Sequence, residues 1–263
     1  MKVVITGSSK GIGLAYAKEF LEHGDEVVIS SRRESAINEA LEKIKQEIPG
    51  SNIYGTTCDV TNPEDIKELI KFSTSKLSNI DIWINNAGTN GYIYDKLVNV
   101  PDETIKQVVE TNLLGTLYTC KQVIMFMEEQ GYGHIFNLSG YGSNGKASNN
   151  LAVYGATKSS IPQLNKTLRT EIENKKIGVH SISPGMVMTD LLTHTTTPEA
   201  KNIFNILAEL PEVVAAKLVP KIRKTKGTGK DISFLSTLGV LWRFMTAGRR
   251  KNKFYDEEGN LKI

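Results

Sequence analysis

Tyr154 and Lys158 stand four residues apart in Tyr154-Gly155-Ala156-Thr157-Lys158, a spacing that puts both on one face of a helix. An ammonium beside a phenol lowers its pKa from about 10 towards neutrality. A phenol tuned in this way donates a proton to a carbonyl oxygen as hydride reaches the carbon. The source of hydride is read at the other end of the chain. Thr6-Gly7-Ser8-Ser9-Lys10-Gly11-Ile12-Gly13 lies between a predicted strand and a predicted helix. Glycines there allow a tight turn and a close backbone approach, and the helix N-terminus receives a pyrophosphate. Gly7, Ser9, Lys10, Gly11, Ile12 and Gly13 are the expected contacts of a dinucleotide.

The end of the second strand bears on which dinucleotide. An NAD site usually places Asp or Glu there for the adenosine ribose. Here the strand runs Val28-Ile29-Ser30-Ser31-Arg32-Arg33, with no carboxylate. Arg32 and Arg33, joined by Lys10, suit a 2′-phosphate held by charge-assisted hydrogen bonds. The plain alternative is a solvated basic pair opening a helix, a position that disfavours cations. The expected cofactor is NADP(H) in preference to NAD.

Positioning these groups takes a particular alternation of elements. Short β-branched runs at 2–6, 26–30, 52–58, 80–84, 134–137 and 179–183 alternate with helical periods at 12–23, 34–47, 63–77, 102–129 and 152–175. That is the pattern of βαβ units on a parallel sheet. Asn62-Pro63 opens one helix and Gly24 stops another. The expected fold is α/β, a single-domain Rossmann-type doubly wound parallel sheet with a helical C-terminal cap. Residues 1–190 form the dinucleotide-binding and catalytic core. Residues 191–263 form a substrate lid and basic helical extension, with helices at 198–210, 211–219 and 235–247 and a Lys/Gly-rich break at 224–230. Asn86, Ala87 and Gly88 after the fourth strand, and Pro184, Gly185 and Val187 after the sixth, lie where open α/β sheets bind ligands.

Composition narrows the class further. The chain has 263 residues, 40% hydrophobic and 23% charged, which excludes disordered, collagen-like and disulfide-framework proteins. Its two cysteines, Cys58 and Cys120, form no CxxC, and no His/Cys cluster has metal-ligand spacing. The net charge of +3 is uneven. Residues 1–220 carry 21 Lys/Arg against 25 Asp/Glu, whereas residues 221–263 carry 11 against 4. A slightly acidic body with one basic tail is not a nucleic-acid binder. No apolar run approaches the ~18 residues of a membrane span. Met1-Lys2-Val3-Val4-Ile5 reads straight into a strand, so the expected location is cytoplasmic.

The glycine loop, the Asn85-Asn86-Ala87-Gly88 turn and the Tyr154/Lys158 pair together resemble the short-chain dehydrogenase/reductase family over nearly the whole chain. The resemblance implies a nicotinamide-dependent oxidoreductase acting on a CH–OH or C=O group, with a working set of Asn, Ser, Tyr and Lys. Asn112 matches the family asparagine that holds a proton-relay water beside the lysine. Lys158 matches the group that also binds the nicotinamide ribose. Asp59 and Val60 match adenine contacts, and Thr189 a nicotinamide or phosphate contact. A homodimer or homotetramer through the helices at 102–129 and 152–175 is also implied. The serine departs from the family pattern, because Gly140 occupies its position. Ser139 should face away by strand alternation, and Ser143 on the following glycine-rich loop is the preferred replacement, with neither serine as the alternative. Pro162, inside the tyrosine helix, is a second departure.

Further segments resemble one branch of the family, the plant chlorophyll b reductases. They include 83–92, 133–137, 183–187, 204–212, 218–220 and Lys226-Gly227-Thr228-Gly229-Lys230. The implied substrate is a small-molecule carbonyl on a tetrapyrrole pigment, the 7-formyl group of chlorophyll(ide) b, reduced to 7-hydroxymethyl by NADPH. The alternatives are another ketone or aldehyde (sterol, sugar or quinone-like) and a catalytically weak nucleotide-binding regulatory subunit. Phe204, Ile206 and Leu207 in the lid suit a large apolar ligand or core packing equally. Leu235, Leu238, Leu241, Trp242 and Met245 form an apolar stripe flanked by Arg243, Arg249, Arg250, Lys251 and Lys253. Either the stripe packs on the sheet, or it makes a peripheral contact with pigment or anionic membrane.

Overall fold

The computed structural model describes residues 1–194 and 198–262. Seven parallel strands form one sheet in the order β3-β2-β1-β4-β5-β6-β7. They are β1 (Lys2–Ile5), β2 (Glu26–Ser31), β3 (Ile53–Thr57), β4 (Ile82–Asn85), β5 (Gly133–Leu138), β6 (Ile177–Ser183) and β7 (Asp231–Ser233). Both faces are covered, which is why the strands read as continuous apolar runs. Val3, Ile5, Val27, Ile29 and Ile84 point to one core with helices α1 (Gly11–Glu22), α2 (Glu34–Glu47) and α9 (Pro211–Arg223). Their neighbours Val4, Val28, Trp83 and Ile135 point to the other, with α3 (Pro63–Leu77), α5 (Gly115–Gln130) and α6 (Ala152–Glu171). Strand order reverses between β1 and β4, the crevice in which doubly wound sheets bind dinucleotides.

Local signals account for the helix ends. The Asn62 side chain accepts from the Glu64 N–H at 3.1 Å with Pro63 behind it, and Gly24 (φ +76°) ends the turn after α1. The helix expected at 102–129 is broken. It consists of α4 (Asp102–Val109), a π-turn at Glu110–Leu114 and then α5. Asn112 sits inside that π-turn, a distortion frequent at functional sites. Helix α6 passes through Pro162 and stops at Glu171, short of 175.

The C-terminal part differs more from expectation. Strand β7 was not anticipated, since three residues with one buried side chain, Ile232, leave no periodic signal. The cap contains α7 (Asp190–Thr193), α8 (Pro198–Leu207) and α10 (Thr237–Met245) beside α9, which continues to Arg223 through Pro220. Phe204 is core: it packs with Met188, Ala208, Phe254 and Tyr255. Of the apolar stripe only Leu235 packs against the core, and no residue of α10 itself is buried. Among the described residues no helix is long and apolar enough to cross a membrane.

Beneath the crevice a chain of buried side chains crosses four elements. The Trp83 indole N–H donates to Asn85 Oδ1 at 2.9 Å, Asn85 donates to Asn137 at 2.7 Å, and Asn137 donates to Asn165 at 2.6 Å. Asn165 then donates to Ser181 Oγ at 2.9 Å and to the His180 carbonyl. These contacts pin β4, β5, β6 and α6 in register where an apolar core would tolerate slippage. Replacing Asn137 by Leu strands an amide donor on Asn85 and an acceptor on Asn165. Urea unfolding should show a loss of about 2–5 kcal/mol; a loss under about 1 kcal/mol would mean the chain carries little stability.

Candidate active site

The loop between β1 and α1 is locked to the turn after β4. Thr6 Oγ1 accepts the N–H groups of Asn86 and Ala87, each at 3.1 Å. The Asn86 amide returns the contact, donating to the carbonyls of Thr6 (2.8 Å) and Gly7 (2.7 Å). This works only because Gly13 has no side chain: a Cβ there would strike the Asn86 amide and lie 2.8 Å from the Gly7 oxygen. Gly7, at φ +61°, passes so close to Ala87 that a Cβ would sit 2.7 Å from the Ala87 Cα. Ser8 fastens the loop to β2 through its own N–H to the Ser30 carbonyl (2.9 Å).

That architecture fits a dinucleotide phosphate. No side chain caps the start of α1, so its first amides face the crevice for a ligand. Arg32 and Arg33 are exposed at the end of β2, Arg33 as the N-cap of α2 without a side-chain cap bond. Lys10 is paired with Asp190 at 2.6 Å on the solvent side, which raises its pKa and bridges the glycine loop to α7. Thr189 lies against Gly11, its Cγ2 3.3 Å from where a Cβ would stand. Pro184 and Gly185 follow β6, and Val187 pairs with Glu209 in an isolated bridge. Asp59 holds Thr61 through both its N–H (3.0 Å) and hydroxyl (2.8 Å), and Val60 packs where Gly115 brings α5 close.

The reactive side chains meet at the far end of the crevice. Lys158 is buried, and its Nζ donates to the Leu138 carbonyl at 3.2 Å and stands 5.9 Å from the Tyr154 ring centroid. Asn112 is fully buried: it accepts from the Thr89 N–H and donates to the Thr89 carbonyl, both at 2.8 Å, and donates to Thr157 Oγ1 at 3.1 Å. Thr157 in turn donates to the Tyr154 carbonyl at 2.8 Å. Gly88 closes the group, since a Cβ there would be 3.2 Å from Asn112 Oδ1 and 3.6 Å from Lys158 Nζ.

Two features depart from the sequence reading. Burial pushes the Tyr154 hydroxyl up to about 12 and the Lys158 ammonium down to about 8, so in this state the lysine does not bring the phenol towards neutrality. Desolvation is the cause at both groups. The serine question also takes a definite shape. A Cβ on Gly140 would lie 2.5 Å from Tyr154 Oη and 3.0 Å from Lys158 Cγ, so the tyrosine hydroxyl and the lysine stem fill the space a serine side chain would need. Ser143 turns its hydroxyl back onto the Gly140 carbonyl at 2.7 Å, and Ser139 is buried with its N–H on the Ile182 carbonyl. Thr6, Thr89, Thr157 and Asp190 escaped the sequence reading; of these only Thr6, abutting Gly7, carried a local signal.

Comparison with known proteins agrees with this geometry. The short chain dehydrogenase family model matches residues 1–200. Chlorophyll(ide) b reductase NOL of Arabidopsis thaliana, named as chloroplastic, is 43% identical over 97% of this chain and 77% of its own length. A probable chlorophyll(ide) b reductase NYC1 of Oryza sativa, also named as chloroplastic, is 42% identical over 98% of this chain, which spans 54% of that relative's length. The actinorhodin polyketide ketoreductase solved with NADPH superposes with a TM-score of 0.75 at 27% identity, covering 90% of this chain and 97% of its own. A serine dehydrogenase solved with NADP+ superposes with a TM-score of 0.76 at 26% identity, over 89% and 94%. The relatives named as chloroplastic overturn the cytoplasmic expectation, since a strand at Lys2–Ile5 describes the fold and carries no address. The crevice, the Tyr154/Lys158 pair and these likenesses place the chain in the short-chain dehydrogenase family, as an NAD(P)-dependent oxidoreductase.

Proposed function

We propose that the chain is an NADPH-dependent carbonyl reductase acting on the 7-formyl group of chlorophyll(ide) b. The observation that carries the chemistry is the enclosed contact between Tyr154 Oη, Gly140 and the Lys158 stem. A phenol held near pKa 12 is a fully protonated acid at neutral pH, the state a carbonyl reductase needs. The cofactor, when bound, supplies hydride to the carbonyl carbon. Tyr154 gives its proton to the carbonyl oxygen, and the Lys158 ammonium stabilises the phenolate left behind. Asn112, fixed on both sides by Thr89 and Thr157, positions the path by which that proton is replaced. Ser143 polarises the carbonyl, which requires its hydroxyl to turn from the Gly140 oxygen.

Gly7, Ser9, Gly11, Ile12 and Gly13 are assigned to the pyrophosphate, with Asp59 and Val60 at the adenine. Asn86, Ala87, Gly88, Lys158, Pro184, Gly185, Val187 and Thr189 are assigned to the nicotinamide half. Arg32 and Arg33, joined by Lys10, take the 2′-phosphate. The pigment is supported by the nearly full-length likeness to chlorophyll(ide) b reductases and by the exposed rim of Tyr92, Tyr94, Leu97, Val98 and Tyr141, apolar surface suited to a wide flat ligand. Tyr92 sets its ring edge-on to His194 at 5.1 Å, and Asn90 donates to the Leu191 carbonyl, so this rim touches the start of the lid.

Three outcomes test the reading. Purified protein with NADPH and chlorophyllide b, kept anaerobic, should form the 7-hydroxymethyl pigment, and Tyr154→Phe should lower turnover by about 10²–10⁴-fold. NADPH binding without pigment conversion would dismiss this substrate. Lys158 is charged below about pH 8 and neutral above it, while Tyr154 keeps its proton to about 12. Reduction should therefore be flat up to about pH 8 and fall above it, and a profile still flat at pH 10 would contradict the role of the ammonium. Arg32→Asp with Arg33→Ala should raise the NADPH KM at least about tenfold and the NADH KM much less; equal losses would refute the 2′-phosphate assignment.

A further inference from the structure

Helix α10 is built inside out. Leu238, Leu241, Trp242 and Met245 recur at helical spacing, and they face solvent: Leu238 is 77% exposed, Trp242 59% and Met245 66%. Its charged residue points inward instead. Arg243 donates to the Leu207 carbonyl at 2.9 Å and pairs with buried Glu209 at 3.1 Å. An exposed apolar stripe of this size on a helix clamped by its own arginine is a surface made for contact.

The charge beside it shows what kind of contact. An open groove of about 900 Å³ runs from α9 past β7 to the start of α10. Lys217, Lys221, Lys224, Lys226 and Lys230 line it, all exposed. Among the described residues none of the five is in an ion pair, and one carboxylate, Asp231, shares the groove. Phe234 joins the two features, with Lys217 Nζ 4.8 Å from one side of its ring and the Arg243 guanidinium 5.4 Å away. The groove also ends on Leu235, Ser236 and Thr237, so lysines and apolar stripe are continuous. The tail cations behave differently, because Arg243, Arg250 and Lys253 are all spent on Glu209.

We propose that α10 and the α9–β7 lysines form a docking surface for an anionic lipid bilayer. The apolar stripe enters the acyl boundary, and the lysines lie at the headgroups. Five unpaired lysines beside an outward apolar face complement that surface in both charge and polarity; a second copy of the chain would bring like charge against like. Lys221, Lys224, Lys226 and Lys230 precede β7 and α10 follows it, so the surface runs along the β7 edge of the sheet. Lipid binding stands whether or not chlorophyll(ide) b is the substrate.

The test is flotation of the full chain with vesicles of phosphatidylcholine alone and of phosphatidylcholine mixed equally with phosphatidylglycerol. Binding is expected to the mixed vesicles only, to weaken with salt, and to blue-shift Trp242 fluorescence while buried Trp83 stays unchanged. Lys221→Glu with Lys224→Glu should weaken it at least about tenfold, and Leu241→Ser with Trp242→Ser should abolish it, both variants retaining NADPH binding. Three results overturn the proposal: no binding to anionic vesicles, binding indifferent to the lysine change, or a dimer in solution that Trp242→Ser dissolves.

Discussion

The site depends on the closeness of two backbone turns at the point where strand order reverses. Between β1 and β4 the chain must keep a crevice open for a ligand while stopping the halves of the sheet from parting. Thr6 and Asn86 do this with a reciprocal set of hydrogen bonds. The set exists because Gly13 contributes no Cβ. The glycine motif therefore has a second purpose beside admitting phosphate: it leaves room for the Asn86 amide that joins the loop to the β4 turn. Asn85, one residue earlier, points the other way into the buried amide chain with Asn137 and Asn165. Adjacent asparagines thus hold the crevice from above and the sheet from below, as strand alternation demands.

Desolvation sets the chemistry of the reactive pair. A lysine in water would carry charge at any physiological pH, and a tyrosine beside it would be drawn towards ionisation. Buried among Leu138, Gly88 and Asn112, the lysine instead sits near its own titration point, and the phenol holds its proton. Gly140 shares in this enclosure. With the backbone against Tyr154 Oη, no side-chain hydroxyl fits at that place, and the hydroxyl of the loop lies three residues on at Ser143. The position at which the resemblance implies a serine is here taken up by the packing of Gly140 against Tyr154.

Alternation of short apolar runs with helical periods was enough to read the parallel sheet and the helices α1, α2, α3 and α6, because long elements buried on defined faces leave strong periodicity. The glycine loop, Tyr154 and Lys158 were readable for the same reason: their spacing is local. What escaped is non-local. The π-turn holds Asn112 against Thr89 and Thr157, which are distant in sequence. The role of Gly140 depends on a tyrosine fourteen residues on, and β7 on an edge of β6 that exists only once the sheet is formed. Phe204 read equally well as lid or core, and only packing against Phe254 and Tyr255 decides it.

Charge gives the sharpest case of this limit. The excess of basic residues after position 220 looks like one property of a tail, yet folding divides it in two. Arg243, Arg250 and Lys253 converge on the buried carboxylate of Glu209, where they anchor the cap and present little field to solvent. Removing that carboxylate would leave three cations facing one another in a half-buried site, so the cluster holds only as a unit. Among the described residues the lysines of α9 and the β7 approach have no such partner, and they stay at the surface. A count of charges treats the two groups alike, whereas their surroundings make one a structural clamp and the other a field. Because Arg243 faces inward with the clamp, the opposite side of α10 is obliged to carry its apolar residues outward, next to the unpaired lysines.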